Sequence, residues 1–81
     1  MTKEEILAKV TTLIVDHFEV EASSVTPEMN FKRDLDADSI DFVEFVLELE
    51  DTFGGEIPDE AAEGLQTVGQ AVDYIFNNLT K

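Results

Sequence analysis

The sequence contains no cysteine and no tryptophan, and it has few basic residues. Without cysteine the chain can form no disulfide, and it offers no thiolate for a metal site or for thiol chemistry of its own. No apolar run approaches the roughly 20 residues that a membrane-spanning helix needs. Residues 1–5 resemble neither a secretory signal nor a transit peptide, because they are not apolar and two of them are acidic. We therefore expect a cytoplasmic protein without a membrane-inserted segment.

Negative charge dominates the composition. The 81 residues include 19 acidic and five basic side chains, which gives a formal net charge of −14 at pH 7. No lysine or arginine occurs between Asp34 and Thr80, whereas 13 acidic residues lie in that stretch. Such a surface repels nucleic acids and anionic membranes, so we expect neither as a partner. Proteins with basic surface patches are the expected partners.

The length predicts a single domain over residues 1–81. The hydrophobic fraction of 43% is sufficient for a folded monomer despite the charge. A core of this size supplies only about 3–5 kcal/mol of stability. Repulsion between like charges lowers that figure further. We therefore expect modest stability that increases with salt or divalent cations.

Apolar periodicity predicts four helices, and nothing in the pattern indicates a strand or a repeat. The first helix begins at Thr2, where Glu5 completes a capping box, and the last follows a second capping box at Thr67. The predicted helices cover residues 2–18, 39–53 and 60–63 and the segment after Thr67. The fold class is therefore an all-α four-helix bundle with a short third helix.

The segment between the first two helices, residues 19–38, is an aperiodic loop with one possible helical turn. A structureless loop of this length is unusual in a small domain. Its spaced apolar residues predict that it packs across the bundle; they are Val25, Met29, Phe31 and Leu35.

The second predicted helix has two distinct faces at 100° per residue. Its apolar core face consists of Phe42, Phe45, Val46, Leu49 and Phe53. An acidic stripe on the opposite side consists of Asp41, Glu44, Glu48 and Asp51. Ile40 and Leu47 flank this stripe, and Val43 falls between the two faces. Spacing alone fits a solvated face, but unbalanced charge with apolar edges favours transient docking of a partner.

No enzyme site follows from the residues. A serine–histidine pair exists only as isolated side chains without a recognisable setting, and there is no glycine-rich phosphate loop. His17 lies at the edge of the first helix's apolar face. We expect it to be a partly buried structural residue, because no second histidine is available to share a metal ion.

A calcium loop is the main competing motif. Asp34, Asp36 and Asp38 have the spacing of the first three ligands of an EF-hand loop. The sixth position is Ser39 where glycine is needed, and the twelfth is Phe45 where a glutamate belongs. We therefore expect no specific metal site and only weak divalent binding to clustered carboxylates.

Residues 35–41, Leu-Asp-Ala-Asp-Ser-Ile-Asp, closely resemble the phosphopantetheine attachment motif of acyl carrier proteins. The resemblance extends through residues 43–44, 49–51, 53, 56–60, 67–68 and 71–75, and therefore covers nearly the whole chain. The match is to freestanding carriers of the dissociated, bacterial-type fatty acid synthase.

The resemblance implies that Ser39 receives 4′-phosphopantetheine from coenzyme A through a holo-acyl-carrier-protein synthase. The chain would then carry acyl thioesters on the thiol of that arm and would not be an enzyme. Implied partners are fatty acid synthesis enzymes and acyltransferases with basic docking patches. By composition alone Ser39 would be an ordinary residue at the start of a helix.

The resemblance also assigns two groups of positions. The docking positions are Asp38, Ile40, Asp41, Glu44, Leu47, Glu50, Asp51 and Asp59, to which helix geometry adds Glu48. The positions that would line an acyl pocket are Val46, Leu49, Ile57, Ala62, Leu65 and Ala71, and a plain core explains the same residues. Phe42 and Phe45 are bulkier than expected and would narrow this pocket. Asp36 replaces a common glycine, and Ile40 replaces a leucine.

Two alternatives to a fatty acid carrier remain at this stage. One is a carrier for polyketides, lipid A or other specialised acyl products, which shares the same chemistry. The other is an unmodified acidic adaptor or weak calcium-binding bundle, which would never receive the arm.

Overall fold

The structure is a computed structural model, and it describes residues 2–79. This part of the chain contains four α-helices and one 3-10 turn. In chain order these are α1 (Lys3–Phe18), the 3-10 turn (Ala22–Ser24), α2 (Ser39–Phe53), α3 (Asp59–Glu63) and α4 (Val68–Asn78). Residues 2–79 contain no strand, and a single isolated bridge pairs Asn30 with Thr67. The predicted all-α fold is confirmed. Helix α3 begins one residue earlier than predicted because Pro58 takes the N-cap position.

Both predicted capping boxes are present. The Thr2 hydroxyl accepts the Glu5 N–H at 3.2 Å, and the Glu5 carboxylate accepts the Thr2 N–H at 3.0 Å. The Thr2 amide, and after it the Thr2 hydroxyl, lowers the pKa of the Glu5 carboxyl. Thr67 and Gln70 make the equivalent pair of bonds at 3.2 and 3.1 Å. Local hydrogen bonds therefore set the first residues of α1 and α4.

The core lies where α1 packs against α2 and α4. The helices contribute the buried residues Ile6, Val10, Ile14, Phe45, Val46, Leu49, Val68, Ala71, Val72 and Ile75, and the connecting segments contribute Phe31, Leu35, Ala37, Ile57 and Leu65. Phe42 and Phe53 are half-buried at the edge of this cluster. The core face predicted for α2 is therefore the one that the structure buries.

The loop of residues 19–38 is held against the start of α4. The N–H groups of Val68 and Gly69 donate to the carbonyls of Met29 and Pro27 at 3.0 and 2.8 Å. These amides begin a helix and have no acceptor within it, so the loop supplies the missing acceptors. A Cβ at Gly69 would lie 3.0 Å from the Pro27 carbonyl oxygen, so glycine permits this close approach. The prediction of a packed loop is confirmed.

No helix within residues 2–79 is both long enough and apolar enough to cross a bilayer.

Candidate functional site

Ser39 is the first helical residue of α2, and it is exposed. The preceding residue, Asp38, caps the helix through a 2.8 Å hydrogen bond from the Asp41 N–H to its carboxylate. The N-terminus of a 15-residue helix carries partial positive charge and free N–H groups. An exposed hydroxyl beside that charge is chemically suited to a phosphodiester link, so the position fits the predicted phosphopantetheine arm.

The segment before Ser39 is anchored by alternate residues. Leu35 and Ala37 are buried, and the Ala37 N–H donates to the Phe31 carbonyl at 3.0 Å. Asp36, Asp38 and Ser39 are exposed. This alternation holds the backbone against the core and leaves the serine hydroxyl on the surface.

Asp36 has a left-handed backbone conformation, with φ of 54°. Glycine occupies this region without steric cost, whereas a residue with a Cβ is strained there, and aspartate is among the few that tolerate it. The structure therefore gives a physical reason for the glycine expected at this position in many related sequences. Asp36 preserves the turn at some cost in strain.

A tight turn over residues 30–34 leads into this segment. The Asn30 side-chain oxygen accepts the N–H groups of Lys32 and Arg33, both at 2.9 Å. The Asp34 carboxylate accepts the Asn30 N–H at 2.8 Å. The Asp34 carboxylate is therefore committed to a local turn.

Helix α2 presents an apolar strip to solvent. Ile40, Val43 and Leu47 have exposed fractions of 70%, 57% and 58%, and they are the exposed large hydrophobic residues of the described chain. Their spacing of three and four residues places them along one side of the helix. From the sequence, Val43 was predicted to lie between the core face and the acidic stripe. Its spacing of three residues from Ile40 and four from Leu47 is the signal that assigns it to the exposed apolar strip.

The acidic stripe lies beside the apolar strip. Glu44, Glu48 and Asp51 are exposed, and Asp41 is half-buried. Within residues 2–79, the only basic side chain within 4 Å of these carboxylates is His17 of α1. Two of the described cations form ion pairs elsewhere: Lys3 with Asp73 at 3.1 Å, and Arg33 with Asp34 at 3.7 Å. Among the residues that the structure describes, no lysine or arginine therefore offsets the stripe.

The other predicted docking positions differ in their surroundings. Asp38 and Asp59 are exposed at the starts of α2 and α3. Glu50 is half-buried, and its carboxylate accepts the Ile57 N–H at 3.0 Å. This bond connects α2 to the segment before α3, which is a structural role that the sequence interpretation did not identify. Glu50 and Asp51 also line a shallow depression at the end of α2, together with Leu47.

The predicted pocket positions all belong to the core. Val46, Leu49, Ile57, Leu65 and Ala71 are buried, and Ala62 is half-buried against the same cluster. Phe45 is fully buried, with its ring centroid 5.4 Å from that of Phe31 and 5.6 Å from that of Phe18. Phe42 packs on Phe31 at 5.3 Å. Aromatic rings therefore fill the space between α1, α2 and the loop.

The chain is similar to known proteins over most of its length. The family model for the phosphopantetheine attachment site matches residues 8–75. Acyl carrier proteins of Lactobacillus johnsonii and Lactobacillus acidophilus are 59% and 60% identical over 75 residues, which are 93% of this chain and 94% of each relative. The acyl carrier protein of Rubrobacter xylanophilus is 51% identical over 80 residues, 99% of both chains.

A solved structure is also similar over nearly its whole length. The acyl carrier protein of Enterococcus faecalis, described for its high thermal stability, superposes with a TM-score of 0.82 at 60% sequence identity. The match covers 96% of this chain and 99% of that one.

Proposed function

The chain belongs to the acyl carrier protein family, and we propose that it carries acyl intermediates of fatty acid synthesis as thioesters on a 4′-phosphopantetheine arm at Ser39. The observation that carries this proposal is the exposed Ser39 at the N-terminus of α2, inside the matched stretch of residues 8–75. The arm supplies the thiol that a chain without cysteine lacks. The protein is a carrier and not an enzyme.

Residues around Ser39 hold the attachment point in a defined place. The serine hydroxyl would hold the phosphodiester, and the N-terminal end of α2 would offset part of its negative charge. Asp38 keeps that end ordered by capping it, and the buried side chains of Leu35 and Ala37 limit its movement. The arm can therefore reach a partner's active site from a fixed base.

The exposed face of α2 is the proposed docking surface. It combines the acidic stripe with the apolar strip of Ile40, Val43 and Leu47. Charge accelerates encounter with a basic partner, and a small apolar contact then holds the pose. The proposed partners are a holo-acyl-carrier-protein synthase, fatty acid synthesis enzymes and acyltransferases. We further propose that the protein acts as a cytoplasmic monomer.

The attachment site is tested by mass spectrometry. Wild type, Ser39→Ala and Ser23→Ala are incubated with coenzyme A and a broad-specificity phosphopantetheinyl transferase, and intact masses are recorded. Ser23 is an exposed serine in the 3-10 turn and serves as the matched control. We expect wild type and Ser23→Ala to gain one arm and Ser39→Ala to gain none. An arm on Ser39→Ala, or none on wild type, would sink the assignment.

Charge reversal on α2 tests the docking surface. We expect Glu44→Lys combined with Glu48→Lys to lower kcat/KM of a carrier-dependent enzyme by on the order of tenfold at low salt, because steering is lost. Glu21→Lys combined with Glu28→Lys makes the same change in net charge at exposed loop positions. Equal rates for the two double variants would show that the acidic stripe is an ordinary solvent-exposed face with no role in docking.

The acyl chain is proposed to enter the core beside Val46, Leu49, Ile57, Ala62, Leu65 and Ala71. Phe45 already fills part of this region. Octanoylation should therefore raise the Tm of wild type less than it raises the Tm of Phe45→Leu, where side-chain volume has been removed. Calorimetry of arm-bearing and octanoylated forms makes the comparison. An equal rise in both proteins would contradict entry of the chain beside Phe45.

A further inference from the structure

His17 occupies an unusual position at the end of α1. Its side chain is only 14% exposed, and its ring packs edge-on against Phe18, with the centroids 4.9 Å apart. Both ring nitrogens face carboxylates of α2: Nε2 lies 4.0 Å from Glu44, and Nδ1 lies 3.8 Å from Glu48. The aromatic contacts orient the imidazole toward the acidic stripe.

A third oxygen donor completes the group. One nitrogen of His17, one carboxylate oxygen of Asp41 and one of Glu44 all lie within 4.8 Å of one another. Around a tetrahedral zinc ion with bonds of about 2.0–2.1 Å, neighbouring ligand atoms are about 3.3–3.4 Å apart. Glu44 is largely exposed, so its side chain is free to rotate toward the other two ligand atoms.

We propose that His17, Asp41 and Glu44 bind one zinc ion, with water completing the tetrahedron. Three protein ligands of nitrogen and oxygen type plus water are an established zinc arrangement. Calcium and magnesium prefer all-oxygen sites, whereas imidazole favours zinc and neighbouring transition metals. The histidine therefore distinguishes this group from a cluster of carboxylates.

Glu48 adds an independent feature of a zinc site. Histidines that bind metals commonly donate their second ring N–H to a carboxylate, which fixes the tautomer and the ring orientation. If Nε2 binds zinc beside Glu44, the other nitrogen, Nδ1, already faces Glu48 at 3.8 Å. The ion would join the end of α1 to α2 at a place where no lysine or arginine of residues 2–79 contacts the carboxylates. This proposal does not depend on the acyl carrier role.

Isothermal titration with zinc chloride, in buffer containing magnesium, tests the site. The full chain is used, and on any protein that carries the arm at Ser39 the arm thiol is alkylated first, because it would otherwise bind zinc. The chain itself has no cysteine and needs no other protection. We expect His17→Gln, which leaves the formal charge unchanged, to weaken zinc binding at least about tenfold and Glu48→Gln to weaken it about tenfold. Asp51→Asn, which removes one exposed carboxylate of the acidic stripe, should change zinc affinity less than about twofold if Asp51 is no ligand.

Nuclear magnetic resonance gives a second readout on the same samples. Zinc should shift the His17 ring signals of wild type, and the midpoint of that shift should agree with the Kd measured by titration calorimetry. Wild-type zinc affinity in His17→Gln, or an equal loss in Asp51→Asn, would overturn the site. Circular dichroism checks folding, and if His17→Gln does not fold, unchanged zinc affinity in Glu44→Gln would overturn the proposal instead.

Discussion

At the scale of single residues, two positions have a backbone conformation that is unfavourable for their side chains. Glu19 and Asp36 are the non-glycine residues with positive φ in the described chain, at 56° and 54°. Left-handed backbone costs a residue with a Cβ roughly 1–2 kcal/mol, and aspartate tolerates it better than glutamate does. Glu19 also places a carboxylate at the C-terminus of α1, where the helix dipole disfavours negative charge. Glu19 is therefore the more strained of the two.

Replacing Glu19 with glycine should stabilise the protein. We expect Glu19→Gly to raise the free energy of unfolding by about 1 kcal/mol, because glycine adopts the left-handed C-cap without strain. Urea denaturation followed by circular dichroism measures the change. Glu19→Ala removes the same charge but keeps a Cβ, so it should recover only the unfavourable helix-dipole contribution and gain less than Glu19→Gly. Equal gains in both variants would attribute the effect to charge and not to the backbone.

At the scale of helices, α2 separates two tasks on its two faces. One face of the helix is buried and carries Phe45, Val46 and Leu49. The other is exposed and carries Ile40, Val43 and Leu47. Glu50 belongs to neither, because its carboxylate accepts the Ile57 N–H across the turn that follows the helix. A charged acceptor in a half-buried site contributes more than an exposed one. The Glu50 side chain therefore helps to hold the path from α2 to α3.

Loss of the Glu50 carboxylate should destabilise the turn. We expect Glu50→Ala to lower the free energy of unfolding by about 1–2 kcal/mol, because the Ile57 N–H loses its acceptor. Glu50→Gln keeps an acceptor oxygen and should recover most of that loss. The neighbouring exposed Asp51→Ala should stay within about 0.5 kcal/mol of wild type. Similar stability for Glu50→Ala and Asp51→Ala in chemical denaturation would remove Glu50 from this structural role.

At the scale of the whole molecule, charge opposes compaction. A net charge of −14 is confined to a body with a Cα radius of gyration of 11.3 Å. The Debye length is about 10 Å at 0.1 M salt and about 30 Å at 0.01 M. Charges across the molecule therefore repel one another strongly at low salt and weakly at high salt.

The melting temperature should accordingly follow ionic strength. If screening contributes about 1 kcal/mol between 10 and 500 mM sodium chloride, Tm should rise by about 4–8 °C for a domain of this size. Scanning calorimetry across that range measures the response. Each reversal in Glu21→Lys/Glu28→Lys raises the net charge by two units, so the double variant carries −10 instead of −14 and its Tm should respond less to salt. A Tm that is independent of salt in both proteins would exclude repulsion as a limit on stability.

The helix bounds and caps that were predicted correctly from the sequence are set by interactions between residues close in the chain. The bounds of α2, the end of α1 at Phe18 and the caps at Thr2, Asp38 and Thr67 agree with the structure, because a cap and an apolar period involve residues only three or four apart. Helix α1 begins at Lys3, one residue later than predicted, because Thr2 is its N-cap. Ser39 could be singled out only through the family motif, since a serine at a helix start is otherwise unremarkable chemically. Its exposed place at the N-terminus of α2 follows from the same local pattern.

Local sequence patterns were enough to predict the helices, their buried faces and the one-signed charge of the second half of the chain. Which distant groups meet depends on how the helices pack. Met29 and Pro27 accept amides of α4, Glu50 accepts the Ile57 amide, and His17 faces the α2 carboxylates. Periodicity assigns a residue to a face of its own helix, but the packing of α1 on α2 brings His17 to its neighbours. Such contacts depend on the relative positions of whole elements, and no local pattern encodes them.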